Sequence, residues 1–203
     1  MNSPGPKREI GGNALLLLTC LLLVAGGNAR FIAQVLHAFP PGGSNLPELL
    51  SLAVVFLAFN VVLFGGFAFG RMTKPVLIVA LLTASVTAYF MDSFGAVIGE
   101  DMLRNVVHTD ASEAFDLITF KLLAYFVLLG LLPSVVVWRA PLAWRGWRRE
   151  LVGRAKLLAL CLLAIALMVM AFGGFYASFL RAHKSLRSYA NPAYPLLTAL
   201  KFA

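Results

Sequence analysis

Long apolar runs separated by short polar segments set the pattern of this chain. Ile10 to Ala29 carries no charge, Pro47 to Gly70 carries only Glu48, and Pro75 to Met91 carries none. Leu117 to Trp138 holds a single charge, Lys121, and Leu157 to Leu180 is uncharged. A helix needs about 20 mostly apolar residues to cross a bilayer. Barrel strands would be shorter and would alternate, and these runs do not. The pattern predicts an all-α membrane protein, a bundle of five transmembrane helices near 10–29, 47–70, 75–91, 117–138 and 157–180. The first run has a rival reading as a cleaved leader, with Gly27-Asn28-Ala29 as a small-residue site. Its length, and the apolar continuation from Phe31 to Phe39, favour a retained anchor.

Composition agrees with the pattern. Of 203 residues 60% are apolar and 13% charged, and the mean hydropathy is +0.85. Soluble domains carry about 45–50% apolar and roughly 25% charged residues. The net charge of +8 would suit a nucleic-acid binder, but its placement reads as a topology signal. Lys7 and Arg8 precede the first span, and Arg71 and Lys74 separate the second from the third. Arg139, Arg145, Arg148, Arg149, Arg154 and Lys156 lie between the fourth and fifth. These three segments share one side, predicted to be cytoplasmic, with Trp138, Trp144 and Trp147 as interfacial residues. Cys20 and Cys161 sit inside apolar runs as small hydrophobes. Asn60, Thr83 and Thr87 read as structural polar residues that bond across helices or back to a carbonyl, and Lys121 as a snorkelling cation. The pairs Gly26-Gly27, Gly65-Gly66 and Gly173-Gly174 read as places of close helix approach.

The outer side carries the candidate chemistry. Six of the nine acids, Asp92, Glu100, Asp101, Asp110, Glu113 and Asp116, fall between the third and fourth spans. Asp101 to His108 places Met102, Leu103, Val106 and Val107 among polar residues, the spacing of a short amphipathic helix on the membrane surface. Asp110 and Glu113 have the spacing of a capping box, which would explain them as helix-start residues alone. In the functional reading, Asn105, Thr109 and Glu113 form an outer pocket. The carboxylate would hold an ammonium group, and the amide and hydroxyl would bond phosphate oxygens near a helix start. Such a pocket suits a zwitterionic phospholipid head group. Beyond the fifth span, Arg181, Lys184, Arg187 and Lys201 oppose the positive-inside bias, and the first three are candidate lipid-phosphate contacts. His37, His108 and His183 are scattered without metal-ligand spacing, and no nucleophile elbow or glycine-rich phosphate loop is present.

Two segments resemble the N-terminal membrane domain of the phosphoethanolamine–lipid A transferases, the family that includes the mobile colistin-resistance enzymes. One is Gly95 to Phe115, around Glu100-Asp101-Met102 and Asn105-Val106-Val107-His108-Thr109-Asp110-Ala111-Ser112-Glu113-Ala114. The other is Phe179 to Pro195, around Arg181-Ala182-His183-Lys184-Ser185-Leu186-Arg187 and Asn191-Pro192-Ala193-Tyr194-Pro195. Leu132-Pro133 and Trp138-Arg139 also fit, and the resemblance covers essentially the whole chain. It implies short periplasmic helices on a five-helix domain at 1–180, a basic bridging segment at 181–203, and then a soluble periplasmic domain of alkaline-phosphatase-like fold. A threonine of that soluble domain takes phosphoethanolamine from phosphatidylethanolamine, releasing diacylglycerol, and passes it to a lipid A phosphate. Asn105, Thr109 and Glu113 match the family's donor head-group residues, and Arg181 to Arg187 match its bridging region. Zinc and the threonine belong to the soluble domain, so no catalytic residue and no metal ligand is expected in this chain. The implied location is the bacterial inner membrane, with the N-terminus cytoplasmic and the C-terminus periplasmic. The competing reading is a non-catalytic membrane scaffold of the same fold. A transporter ranks last, because paired broken helices with buried charges are not evident.

Overall fold

The computed structural model describes residues 9–43, 45–95, 119–143, 146–182 and 186–202. They form a helical membrane bundle with one short strand pair. Helix α1 (Gly12–Gly26) meets α2 (Ala29–Ala38) at a 61° bend. Helices α3 (Leu46–Gly65) and α4 (Thr73–Phe94) follow, joined through a 3-10 turn at Gly70–Met72. The fourth span is composite: α5 (Phe120–Tyr125), a π-helical stretch (Phe126–Leu131) and α6 (Leu132–Arg139). Helix α7 (Trp147–Ala171) leads into α8 (Gly173–Ala182), a 3-10 turn (Leu186–Tyr189) and α9 (Ala193–Phe202). Four of these segments are long and apolar enough to cross a membrane singly, and the bent α1–α2 pair makes the fifth.

The apolar runs and the helices do not share their ends. Helix α7 starts at Trp147, well ahead of Leu157, because its first turns carry Arg148, Arg149, Glu150, Arg154 and Lys156. Charge lowers hydropathy there without stopping the helix. At the other end the helix stops at Ala171 with Phe172 as its C-cap, and Gly173–Ala182 forms a separate helix.

Two buried clusters hold the bundle. One joins α1, α3, α4 and α6 through Leu16, Cys20, Val61, Leu77, Leu81 and Val137. The other lies under α2 and is largely aromatic, with Phe31 against Phe56 at 4.9 Å and Phe39 against Phe175 at 5.1 Å between ring centroids. The outward faces remain apolar, with Leu18, Phe67, Val136, Leu160 and Met170 all more than half exposed. That is the inside-out surface of a protein solvated by lipid.

Close approach is set by particular glycines. A Cβ on Gly65 would lie 2.7 Å from Leu158 Cδ2 and 3.2 Å from Leu16 Cδ2, so α3 meets α7 and α1 there. A Cβ on Gly130 would lie 2.5 Å from Ser85 Oγ, which brings the π-helical stretch against α4. Gly173 and Gly174 have nothing within 4 Å of an added Cβ. They mark the α7–α8 junction and make no close helix contact.

The basic segments do converge. Strand β1 (Ile10–Gly11) pairs in parallel with β2 (Leu142–Ala143), joining the chain ahead of α1 to the loop after α6. Lys74 Nζ donates to the Trp138 carbonyl at 2.7 Å, and Asn13 Nδ2 to the Gly153 carbonyl at 2.9 Å. The start of α1, the α3–α4 turn and the α6–α7 loop therefore occupy one end of the bundle.

Candidate functional site

The opposite end is organised by α4. Tyr89 and Asp92 lie one turn apart near its end, and each bonds across to the fourth span. Tyr89 Oη and Thr119 Oγ1 share a 2.8 Å hydrogen bond, and Tyr125 Oη donates to Asp92 Oδ2 at 3.1 Å. The other carboxylate oxygen of Asp92 accepts from the Arg30 backbone N–H at 3.1 Å, which ties in α2. Helix α4 stops at Gly95, whose φ of 62° is left-handed and whose N–H donates to Met91. Only glycine adopts this geometry without strain. Tyr189 Oη donates to the Gly95 carbonyl at 2.8 Å, and Arg30 Nη2 lies 3.4 Å from where a Gly95 Cβ would stand.

A second network sits one layer deeper. Asn191 and Asn28 bond reciprocally: Asn191 N–H donates to Asn28 Oδ1 and Asn28 Nδ2 to the Asn191 carbonyl, both at 2.8 Å. Asn191 Nδ2 also donates to the carbonyls of Gly27 and Ala84, and the Thr87 hydroxyl donates to Asn191 Oδ1. Every polar atom of the Asn191 side chain is thereby satisfied in a site with no exposure, as burial in a low-dielectric interior requires. The network joins the α1–α2 bend, the middle of α4 and the segment leading into α9. Between α2 and α3 lies an apolar groove of about 240 Å³ lined by Val24, Phe31, Val35, Leu49, Leu52 and Phe56.

These contacts fix both ends of the segment that carries Asn105, Thr109 and Glu113. Gly95 and Thr119 are its last described neighbours; Tyr189 Oη bonds the Gly95 carbonyl and Tyr89 Oη bonds Thr119 Oγ1. The three residues themselves, the Asp101–His108 helix and the Asp110–Glu113 capping box lie outside the described residues. The first described helix of the fourth span is capped by Thr119, whose Oγ1 accepts from Leu122 N–H at 3.1 Å. Arg181 is exposed in the last turn of α8. Lys184 lies outside the described residues; Arg187 falls in the 3-10 turn, and its side chain is not among those described. Among the described residues no three His, Cys, Asp or Glu side chains group to hold a metal ion.

Sequence reasoning missed the frame. Asp92 counted only as one acid among six, and Asn28 only as part of a cleavage-like tripeptide. The available signal was Asp92 at the end of an uncharged run, where a carboxylate needs partners.

Residues 55–203 match the family described as phosphoethanolamine transferase EptA/EptB. The chain belongs to this family. It is 34% identical over 198 residues to the phosphatidylethanolamine transferase Mcr-1 of Escherichia coli, covering 97% of this chain and 36% of that one. Against the phosphoethanolamine transferase EptA of Escherichia coli K12 the identity is 29%, over 92% of this chain and 36% of the relative. The solved integral membrane lipooligosaccharide phosphoethanolamine transferase A (EptA) from Neisseria meningitidis superposes with a TM-score of 0.89. The identity is 26%, and the match covers 96% of this chain and 36% of that structure. The present chain thus spans about a third of the length of these EptA/EptB relatives, and its fold is that of their membrane region.

Proposed function

We propose that this chain anchors a phosphoethanolamine transferase in the bacterial inner membrane and binds its lipid donor. The donor is phosphatidylethanolamine, and the acceptor is a lipid A phosphate. The supporting observation is that Gly95 and Thr119, which flank the stretch carrying Asn105 and Glu113 in sequence, are both held at the same end of a bundle of this family. In this reading Glu113 pairs with the donor ammonium, while Asn105 and Thr109 bond its phosphate. The apolar groove beside α2 offers room for an acyl chain at the same end. Arg181, Lys184 and Arg187 meet lipid phosphates on the outer leaflet. Transfer itself belongs to a soluble domain beyond these residues, where zinc would supply Lewis-acid chemistry. The positive-inside bias supports a cytoplasmic N-terminus and a periplasmic C-terminus.

The test is Glu113→Ala in a polypeptide that also carries the family's soluble domain, with lipid A read by mass spectrometry. Loss of one charge-assisted contact to the ammonium lowers phosphoethanolamine addition about tenfold or more. Unchanged addition at equal protein level would remove Glu113 from the donor site.

A further inference from the structure

A second cavity, of about 400 Å³, opens at the basic end of the bundle, at the far end of α1 from Gly26. Its lining includes Gly11, Gly12 and Asn13 at the start of α1, and Arg149, Glu150 and Arg154 on α7. Arg154 is the unusual member. It is only 5% exposed, and its Nη1 is buried without a hydrogen-bond partner. Arginine does not discharge by losing its proton, so such a group calls for an anion. Its stem packs 3.8 Å from a Cβ position on Gly65, and its Nη2 lies 3.5 Å from one on Gly12, so the guanidinium reaches the first turn of α1.

That first turn is prepared for the same charge. Its N-cap is Gly11, which supplies no capping side chain, and no acidic residue follows in the turn. The positive end of the α1 dipole therefore has no capping side chain or first-turn acid, and it stands beside a guanidinium whose Nη1 has no hydrogen-bond partner. Asn13, held by the Gly153 carbonyl, fixes α1 against α7 at this point. Glu150 opposes an anion, but two guanidinium groups against one carboxylate leave the lining net positive. On α7 the exposed side chains of Trp147, Leu151 and Val152 flank the cavity's residues, so its surroundings are lipid-facing.

We propose that this cavity binds the phosphodiester of an anionic glycerophospholipid from the leaflet at the basic end, clamped between Arg154 and the start of α1. The inference rests on the cavity alone and is independent of the donor-site reading. The test uses the full chain in detergent, with native mass spectrometry comparing phosphatidylglycerol with phosphatidylethanolamine, and inorganic phosphate as a competitor. Wild type retains phosphatidylglycerol preferentially, and Arg154→Gln weakens that binding about tenfold. Glu150→Gln, which removes the opposing carboxylate, tightens it. The second variant keeps the site testable if the first folds poorly, and a merely structural Arg154 would not produce the opposite signs. Equal retention by wild type and Arg154→Gln, or weaker retention by Glu150→Gln, overturns the site. Inorganic phosphate binding that depends on Arg154 without any lipid preference overturns the lipid occupant.

Discussion

At the scale of single residues, the polar side chains buried in this bundle act mainly on the backbone. Asn60 Nδ2 donates to the Phe56 carbonyl, Thr19 Oγ1 to Leu15, and Thr198 Oγ1 to Tyr194, each four residues back along its own helix. Reading Asn60 and Thr87 as structural polar residues was possible from sequence, because lipid offers them no other partner. Asn191 was not legible in the same way. Its partners are Asn28 and two carbonyls more than 100 positions away in sequence, and no local pattern encodes them. Asn191→Ala leaves Asn28 Oδ1 with its backbone donor but removes the side-chain donor to the buried Gly27 carbonyl and one donor to the Ala84 carbonyl, while the Thr87 hydroxyl keeps the Thr83 carbonyl 2.9 Å away. Burying such groups unpaired costs about 1–3 kcal/mol. A thermal unfolding scan in detergent checks this: the variant melts at lower temperature, and an unchanged midpoint would mean that the network contributes little.

At the scale of elements, the five apolar runs were plain because length and charge exclusion are strong signals in a bilayer. Helix ends were not, since a charged first turn in α7 and a mid-span change of helix type in the fourth span leave hydropathy almost blind. Pro133 lies just after the π-helical stretch; proline lacks the N–H that a continuous α-helix would use, and wide turns are a usual accommodation. The same stretch presents Gly130 to Ser85, whose hydroxyl is committed to the Leu82 carbonyl at 2.7 Å. Gly130→Ala therefore drives a methyl into Ser85 and separates α4 from the fourth span. The expected cost is about 1–3 kcal/mol of overpacking, again read as a lower unfolding midpoint in detergent. The double variant Gly130→Ala with Ser85→Gly relieves the clash and recovers part of the loss. No recovery would place the strain elsewhere.

At the scale of the whole molecule, the charge distribution and the helix arrangement agree that the bundle has a basic end and an end built around Asp92, Gly95 and Asn191. Which faces the cytoplasm is checked by labelling with a membrane-impermeant maleimide. Cys20 and Cys161 are buried and stay silent, so single cysteines report cleanly. A cysteine at exposed Gly43 is labelled in cells whose outer membrane alone is permeable, whereas one at exposed Arg148 is labelled only after the inner membrane is opened. The reverse pattern would invert the orientation. The candidate donor segment was visible from sequence through residue types and family likeness, but its supports were not, because Tyr89, Asp92 and Tyr189 act through folded proximity. One further consequence follows from the β1–β2 pair. Ile10 and Leu142 can meet only if an even number of crossings lies between them, and the first four spans provide that parity. A nascent chain that skipped or inverted a single early segment would leave these strands on opposite sides of the bilayer. Their pairing is thus a built-in parity check on insertion, available only once the fourth helix has been delivered and before the rest of the protein has been made.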